Sequence, residues 1–271
     1  MNKMVAVKPD YHDYIIHAMN LFSAEKDFLV FDLETTNKNF NPNKRDGDAV
    51  KDGRVMQIAA LVIQRVGRDQ FRVVEKFNEL LREPTVKVDE DIHPGALKTH
   101  NIHAADLWER SPSGGYRWPT PKDAWTKFAK LAQGRVLVGQ NILTFDIPLA
   151  NREMEYWGLG RPLSDKRALD TLPVARHLLD FSHFQTAMID KRTGDAVMPL
   201  SSGHKMANIA THLRISFDPT KLHDALYDIE LCWKVWIALL PLMRSYQTRI
   251  IKGQPDQYKS HVGKIHSSLF D

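Results

Sequence analysis

The chain has 271 residues, a formal net charge of +4 and a pI near 9.0, and 43% of its residues are hydrophobic. This length suits one large α/β domain or two small ones with a sizeable apolar core. Apolar runs are shorter than the roughly 20 residues of a membrane-spanning helix, so we expect no membrane association. The positive charge permits a polyanionic partner but does not demand one. The single cysteine, Cys232, excludes an internal disulfide and predicts a cytoplasmic protein in which this thiol is buried.

Apolar patterning predicts a leading helix and then three strands in an antiparallel meander. Short apolar runs and alternating residues indicate strands, and a stretch rich in Asn, Lys, Asp and Gly indicates a loop. The elements expected in this half are a helix at 11–22, a strand at 28–32, the loop at 37–53, and strands at 55–66 and 71–81.

Helices alternate with short strands in the rest of the chain. The expected elements are helices at 96–100, 122–131, 145–157, 205–213 and 223–242, strands at 135–138 and 168–170 with a helix to 179 after the latter, and a hairpin at 185–200. Strands first, and then alternating helix and strand, predict an α/β fold with a mixed sheet flanked by helices. We expect a single domain over residues 1–244, with a short helical extension at its start, and a polar, flexible tail over 245–271.

Two acids lie at the end of the first predicted strand. Asp32 and Glu34 project from the same face, because side chains two residues apart do so on a strand. The spacing alone is unspecific, since the chain repeats it at Asp228 and Glu230 on a predicted helix. However, Asp32 follows four apolar residues, and a charge beside a core normally needs a partner or a metal ion. An exposed strand end is the alternative interpretation.

Two later segments add acids and a histidine at predicted helix starts. Asp146 follows a short strand, and His223 and Asp228 lie five residues apart before the last long helix. Each has a purely structural alternative. Asp146 can be a first-turn acid favoured by the helix dipole, and His223 or Asp224 can be the N-cap of its helix.

These three segments together resemble the motifs of the DnaQ-like DEDDh exonuclease family, which includes polymerase proofreading subunits. The motifs are Asp-x-Glu-Thr-Thr from Asp32, Asn-x-x-x-Phe-Asp ending at Asp146, and His-x-Ala-x-x-Asp from His223. Weaker matches are Ala96-x-x-x-His100-x-Ile102 and Asp170-Thr-Leu172, and the order fits from about residue 28 to 242.

The sequence also departs from the family pattern. Asn37 stands where a glycine is usual, the loop that follows is longer, and Gln57 stands where a glutamate is frequent. These differences leave the acids and the histidine untouched, so they bear on substrate preference and not on the chemistry.

The resemblance implies a ribonuclease H-like fold, in which a three-stranded antiparallel meander and parallel strands form a mixed five-stranded sheet. It implies that four acids bind two divalent metal ions, Mg²⁺ or Mn²⁺, and that His223 is the general base. Hard oxygen ligands suit these ions. The acids so assigned are Asp32, Glu34, Asp146 and Asp228, and the expected substrate contacts are Leu33, Thr35, Thr36, Asn141, Phe145 and His100.

The implied activity is removal of nucleoside 5′-monophosphates from the 3′ end of single-stranded or frayed DNA. An RNA exonuclease similar to ribonuclease T or oligoribonuclease is the alternative, and an inactive binding module is disfavoured because all four acids and the histidine are present. Tyr116 and Trp118 can stack on bases or pack on the domain edge. Residues 267–270, from Ser267 to Phe270, are similar to peptides that dock bacterial sliding clamps.

Overall fold

A five-stranded mixed sheet forms the centre of the computed structural model, which describes residues 11–45, 47–179, 188–189, 196–197 and 203–252. Its order is β3-β2-β1-β4-β5, with β1 to β3 antiparallel and with β4 parallel to both β1 and β5. The expected meander and parallel strands are thereby confirmed. The strands are β1 (Asp27–Thr35), β2 (Val55–Arg65), β3 (Phe71–Leu80), β4 (Val136–Gly139) and β5 (Ala168–Asp170).

Helices cover both faces of the sheet, and each face has its own apolar core. The helices are α1 (His12–Ala24), α2 (Pro94–His100), α3 (Ala104–Leu107), α4 (Pro121–Ala132), α5 (Asp146–Tyr156), α6 (Thr171–Leu178), α7 (Met206–His212) and α8 (Ala225–Ile251). Short 3-10 turns lie at Asp89–Asp91, Asp165–Arg167 and Pro219–Lys221. Helices α1, α6, α7 and α8 pack on one face, while α4 and α5 pack on the other.

Strand β1 is buried on both faces, which explains its continuous apolar run. Phe28 and Val30 belong to the core beneath α8, whereas Leu29 and Phe31 belong to the core beneath α4 and α5. Because side chains alternate along a strand, the even-numbered row continues beyond Val30 toward α8. The next two positions of that row are the acids of the first motif.

Two short strands, β6 (Met188–Ile189) and β7 (Ala196–Val197), pair antiparallel as the expected hairpin requires. The residues between them lie outside the described part of the chain, as do residues 267–270. Cys232 is buried, as predicted, with 3% of its surface exposed. Within the described ranges, no helix is long and apolar enough to cross a membrane.

Helix α8 continues to Ile251, beyond the boundary that we expected at residue 244. The residues after 244 are mostly polar, so the sequence does not reveal that one face of the helix is buried. Tyr246 lies on that face and is only 2% exposed. The Tyr246 hydroxyl lies 2.9 Å from Nδ1 of His12, and its ring meets the edge of His177 at 5.0 Å. The end of α8 therefore packs against α1 and α6.

Replacement of Tyr246 by alanine is expected to lower the free energy of unfolding by about 3 kcal/mol, because it leaves a cavity between three helices. Chemical denaturation measures this change. Ile251→Ala is the matched control: Ile251 is 78% exposed, so a loss of less than about 0.5 kcal/mol is expected. Equal losses in the two variants would contradict the packing of Tyr246.

Candidate active site

The first two acids lie at the end of β1, on the face that α8 covers. Asp32 pairs with Ala59 of β2 and Glu34 pairs with Gln57, so small and neutral side chains lie beside the carboxylates. Both acids are partly buried. The strand register shifts directly after Glu34, which ends the regular pairing at this edge of the sheet.

The start of α8 brings a third acid to this pair. Asp224 is the N-cap of α8 and accepts a hydrogen bond from the Tyr227 N–H at 2.9 Å, so the structural alternative holds for Asp224. Asp228 lies one turn further on and accepts a hydrogen bond from the His223 N–H at 3.0 Å. Carboxylate oxygens of Asp32, Glu34 and Asp228 lie within 4.8 Å of one another.

The fourth acid, Asp146, opens α5 and is 2% exposed. Asp170 fixes the loop that leads to it. The Asp170 carboxylate accepts hydrogen bonds from the N–H groups of Asn141 (2.8 Å), Leu143 (3.2 Å) and Leu172 (2.9 Å). The sequence shows Asp170 only as a weak motif match and gives no sign of this positioning role.

Burial raises the pKa of all four acids, and repulsion within the cluster raises the pKa of Asp32, Glu34 and Asp146 further. Burial, reinforced by Asp228, raises the pKa of Asp32 from 3.8 to about 7. Burial and then Asp32 raise the pKa of Glu34 and of Asp146 well above their ordinary values. Burial also raises the pKa of Asp228, although the N–H of His223 partly offsets the effect. Such a cluster is costly without cations.

The cluster fits divalent cations that prefer oxygen ligands. Oδ1 of Asp146 and Oδ1 of Asp228 are buried and have no hydrogen-bond partner among the described residues. A buried carboxylate oxygen normally has a partner, and a metal ion satisfies this requirement. The residues that would hold the ions are Asp32, Glu34 and Asp228, with Asp146 beside them.

A family model described as "Exonuclease" matches residues 29–236, which is more than half of the chain. The chain belongs to this exonuclease family. The prediction of a DnaQ-like exonuclease of the DEDDh type is thereby confirmed, as is the nuclease class of the enzyme. The matched range contains all three motifs and ends inside α8.

Solved structures of exonuclease I share the fold of this exonuclease. The Escherichia coli enzyme in complex with a dT13 oligonucleotide is 17% identical with a TM-score of 0.51, and 84% of this chain covers 43% of that chain. Exonuclease I from Methylocaldum szegediense is 14% identical with a TM-score of 0.51, and 84% of this chain covers 42% of that chain. The chain thus spans less than half the length of these proteins. No curated protein sequence matches it.

His100 connects α2 to the end of β1 through both ring nitrogens. Its Nδ1 accepts a hydrogen bond from the Ile102 N–H at 3.0 Å, so Nε2 carries the proton and donates to the Thr35 carbonyl at 3.1 Å. Burial lowers the pKa of His100, and His223 nearby lowers it further. His100 lines the cleft described below, but its polar atoms are bonded to the protein.

The residues around the first motif contribute more to the scaffold than we expected. Thr36 is fully buried, and its hydroxyl donates to the Ala49 carbonyl at 2.6 Å and accepts from the Arg54 N–H. This side chain supports the loop after β1, contrary to the expected substrate contact. Leu33 is 4% exposed, the Thr35 hydroxyl donates to the Asn37 carbonyl at 3.0 Å, and the Thr35 carbonyl accepts from His100, so both side chains belong to the scaffold.

The second motif forms a tight turn before α5. Asn141 has a left-handed φ of 63°, and its carbonyl accepts from the N–H groups of Thr144 and Phe145. The Asn141 side chain accepts from the Thr144 hydroxyl at 2.7 Å. Phe145 meets the ring of Phe40 edge-on at 5.5 Å, so it packs the loop against α5.

A cleft of about 620 Å³ lies next to the acids, and His223 forms part of its wall. His223 is exposed and has a left-handed φ of 72°, which turns the chain into the cap of α8. Trp118 lines the cleft, whereas Tyr116 packs against Trp108 and lies outside it. Gln57, which the sequence analysis noted, also lines the cleft, and it donates a side-chain hydrogen bond of 2.9 Å to Asn78, a lining residue that sequence reasoning missed.

The raised pKa of Asp32 predicts how the stability of the metal-free protein depends on pH. Between the ordinary value of 3.8 and the folded value of about 7, the folded state holds more protons than the unfolded chain. The free energy of unfolding therefore falls as pH rises through this interval. Asp32→Asn removes the penalty, so this variant is expected to be more stable than the parent at pH 8 in a chelator.

Thermal unfolding from pH 4 to 8, with and without Mg²⁺, measures this effect. Asp165→Asn is the control, because Asp165 is an exposed acid far from the cluster and its replacement is expected to change little. If Asp32→Asn were less stable than the parent at pH 8 without metal, the repulsion would not exist.

Proposed function

We propose that this enzyme is a metal-dependent 3′→5′ exonuclease that releases nucleoside 5′-monophosphates from single-stranded DNA. The observation that carries the proposal is the convergence of Asp32, Glu34 and Asp228 within 4.8 Å, next to a cleft that His223 lines. Asp146 adds a fourth buried carboxylate beside them. The solved complexes of exonuclease I with single-stranded DNA support DNA as the substrate.

Two divalent ions, Mg²⁺ or Mn²⁺, would supply the charge that stabilises the attacked phosphate and the leaving oxygen. Asp228 raises the pKa of Asp32, and Asp32 raises the pKa of Asp146. Asp32 is therefore close to both acids and is the residue suited to contact both ions. Glu34 and Asp228 would complete one ion's ligands, and Asp146 would hold the other. The acids thereby orient the phosphate in the cleft.

His223 would accept the proton of the attacking water. Its main chain is fixed by the bond from its N–H to Asp228, while its side chain stays exposed at the mouth of the cleft. An imidazole ordinarily titrates near neutral pH, which suits a general base. A neutral His100 on the same cleft adds no competing positive charge.

The terminal nucleotide would lie in the cleft with its phosphate on the acids. The main chain of Leu33 and Thr35 borders the acids and would meet the sugar, while Asn141 supports the turn that positions Asp146. Gln57 and Asn78 offer neutral amides toward the nucleotide.

We also propose one domain for residues 1–244 together with the end of α8, because both apolar cores share a single sheet. The buried free thiol of Cys232 agrees with a reducing cytoplasm. Docking of a sliding clamp by residues 267–270 stays a prediction.

Digestion of 3′- and 5′-labelled DNA and RNA strands of one sequence tests the proposal. With Mg²⁺ or Mn²⁺, DNA is expected to shorten from its 3′ end and to release 5′-monophosphates. Asp32→Asn is expected to abolish the reaction, and His223→Gln to lower kcat by about 10²- to 10⁴-fold because the proton acceptor is lost.

Asp165→Asn is the matched control: Asp165 is an exposed acid outside both the acid cluster and the cleft, so digestion is expected to continue. Faster digestion of RNA than of DNA would move the assignment to the RNA exonucleases. Release of nucleotides from the 5′ end, or full activity of Asp32→Asn, would refute it.

A further inference from the structure

The described residues between β1 and β2, 36–45 and 47–54, form a loop without helix or strand. Loops longer than about 12–15 residues are uncommon in a domain unless they have a function or are disordered. This loop begins directly after Glu34 and Thr35, so its position is set by the strand that carries the first two acids. The catalytic chemistry described above uses none of its side chains.

A buried ionic network fixes the loop to α5. Arg152 of α5 binds Asp52 and Glu153 through pairs of 2.6 Å each, and Arg54 binds the other oxygen of Asp52 at 2.7 Å. Arg45 binds Glu153 at 3.2 Å. All five side chains are at most 8% exposed. Buried ion pairs add little net stability, so a network of this size points to a required geometry.

Close backbone packing fixes the same loop a second time. The N–H of Gly53 donates to the Asn39 carbonyl at 2.8 Å, and a Cβ at Gly53 would lie 2.0 Å from the Asn37 carbonyl oxygen. The N–H of Asn41 donates to Asp52 at 2.9 Å. These contacts therefore hold the two ends of the loop together before any ligand arrives.

This conformation creates a second, smaller cavity of about 350 Å³ beside the active site. Its lining combines an aromatic ring, two amides, two lysines and one acid: Phe40, Asn39, Asn41, Lys44, Lys51 and Asp52. Phe40 contacts Phe145, the residue before Asp146, so the cavity lies where the loop after Glu34 and Thr35 meets the start of α5. Lys44 is exposed and forms no ion pair within the described part of the chain.

We propose that this cavity, the loop site, binds one further nucleotide of the single strand while the terminal nucleotide lies on the acids. A cation for the phosphate, amides for the base edge and an aromatic wall are the chemistry that binds single-stranded nucleic acid. The volume lies within the range of small-ligand sites. The loop site rests on the proposed function, since it adds a contact to the same substrate.

Lys44 supplies the positive charge, because Lys51 is paired with Asp48 at 3.0 Å, and the contacts that hold the ends of the loop lower the ordering cost. Each phosphate contact of this kind releases a counterion from the strand, so binding weakens as salt rises. The loop site therefore acts only on substrates long enough to reach it. A single nucleotide ester fills the catalytic centre alone and is insensitive to the loop.

The test compares the parent enzyme with Lys44→Gln on two kinds of probe. The first is a labelled 12-nucleotide strand, of DNA or RNA, whose Kd is measured without divalent metal from 50 to 300 mM salt. The second is the p-nitrophenyl ester of thymidine 5′-monophosphate, whose hydrolysis is measured with Mn²⁺. Lys44→Gln is expected to reduce the slope of log Kd against log salt by ~0.7 and to leave hydrolysis of the ester unchanged.

Lys130→Gln is the matched control. Lys130 is exposed near the end of α4. This helix leads into the start of β4, at the end of the sheet opposite to the acids, so neither probe is expected to respond. Lys44→Glu is expected to weaken strand binding more than Lys44→Gln does. An unchanged slope in both Lys44 variants would overturn the loop site, as would an equal loss on the ester.

The binding measurement also separates this proposal from the proposed function. If the parent binds the strand through Lys44 but hydrolyses neither probe, the loop site stands and the exonuclease assignment fails. If it hydrolyses 3′ ends with no contribution from Lys44, the exonuclease assignment stands and the loop site fails. An effect confined to the DNA or to the RNA strand identifies the nucleic acid that the loop site recognises.

Discussion

Repulsion among four carboxylates at one edge of the sheet is the interaction on which the rest of this structure depends. Burial raises the pKa of each group, and their proximity raises the pKa of Asp32, Glu34 and Asp146 further. A fold that holds them together must supply the opposing force. Two apolar cores pack against β1, one on each face. Asp32 and Glu34 therefore cannot move away from the start of α8 unless the sheet unpacks.

Helix starts reduce the repulsion. Asp146 is the first residue of α5 and Asp228 lies in the first turn of α8, where the partial positive charge of a helix favours an anion by about 0.3–1 kcal/mol at exposed sites. The structural alternative for Asp146, a first-turn acid favoured by the dipole, is thus compatible with a catalytic role. Bound cations offset the rest of the repulsion among the carboxylates. Metal binding and folding stability therefore depend on the same repulsion.

Sequence alone predicts the features that local patterns encode. The alternating burial of β1 places Asp32 on the face of α8, and helical spacing places Asp228 at the start of that helix. Features built from distant residues leave no such pattern. Arg152 contacts Asp52 of the loop after β1 from 100 positions further along the chain, and Asp170 fixes the amides of Asn141 and Leu143 from 29 and 27 positions away. The sequence does not indicate that Tyr246 is buried, because the residues around it are mostly polar and only one face of the helix packs inward.

The loop after β1 is a second case in which the sequence predicts the element but not its long-range contacts. Its composition predicts a loop, and its exposed lysines agree with that prediction, whereas its ends at Thr36 and Arg54 are fully buried. Its rigidity arises from charges that lie far apart in sequence and meet only when α5 docks. The active site and the loop site thus share α5 as a common support, through Asp146 at its start and Arg152 near its centre.

Diffraction at the manganese absorption edge from crystals grown with Mn²⁺ and a nucleoside 5′-monophosphate tests the central claim most directly. Two anomalous peaks are expected at the end of β1, one among Asp32, Glu34 and Asp228 and one shared by Asp32 and Asp146. Manganese bound only elsewhere, or no peak beside these acids, would contradict a two-metal centre.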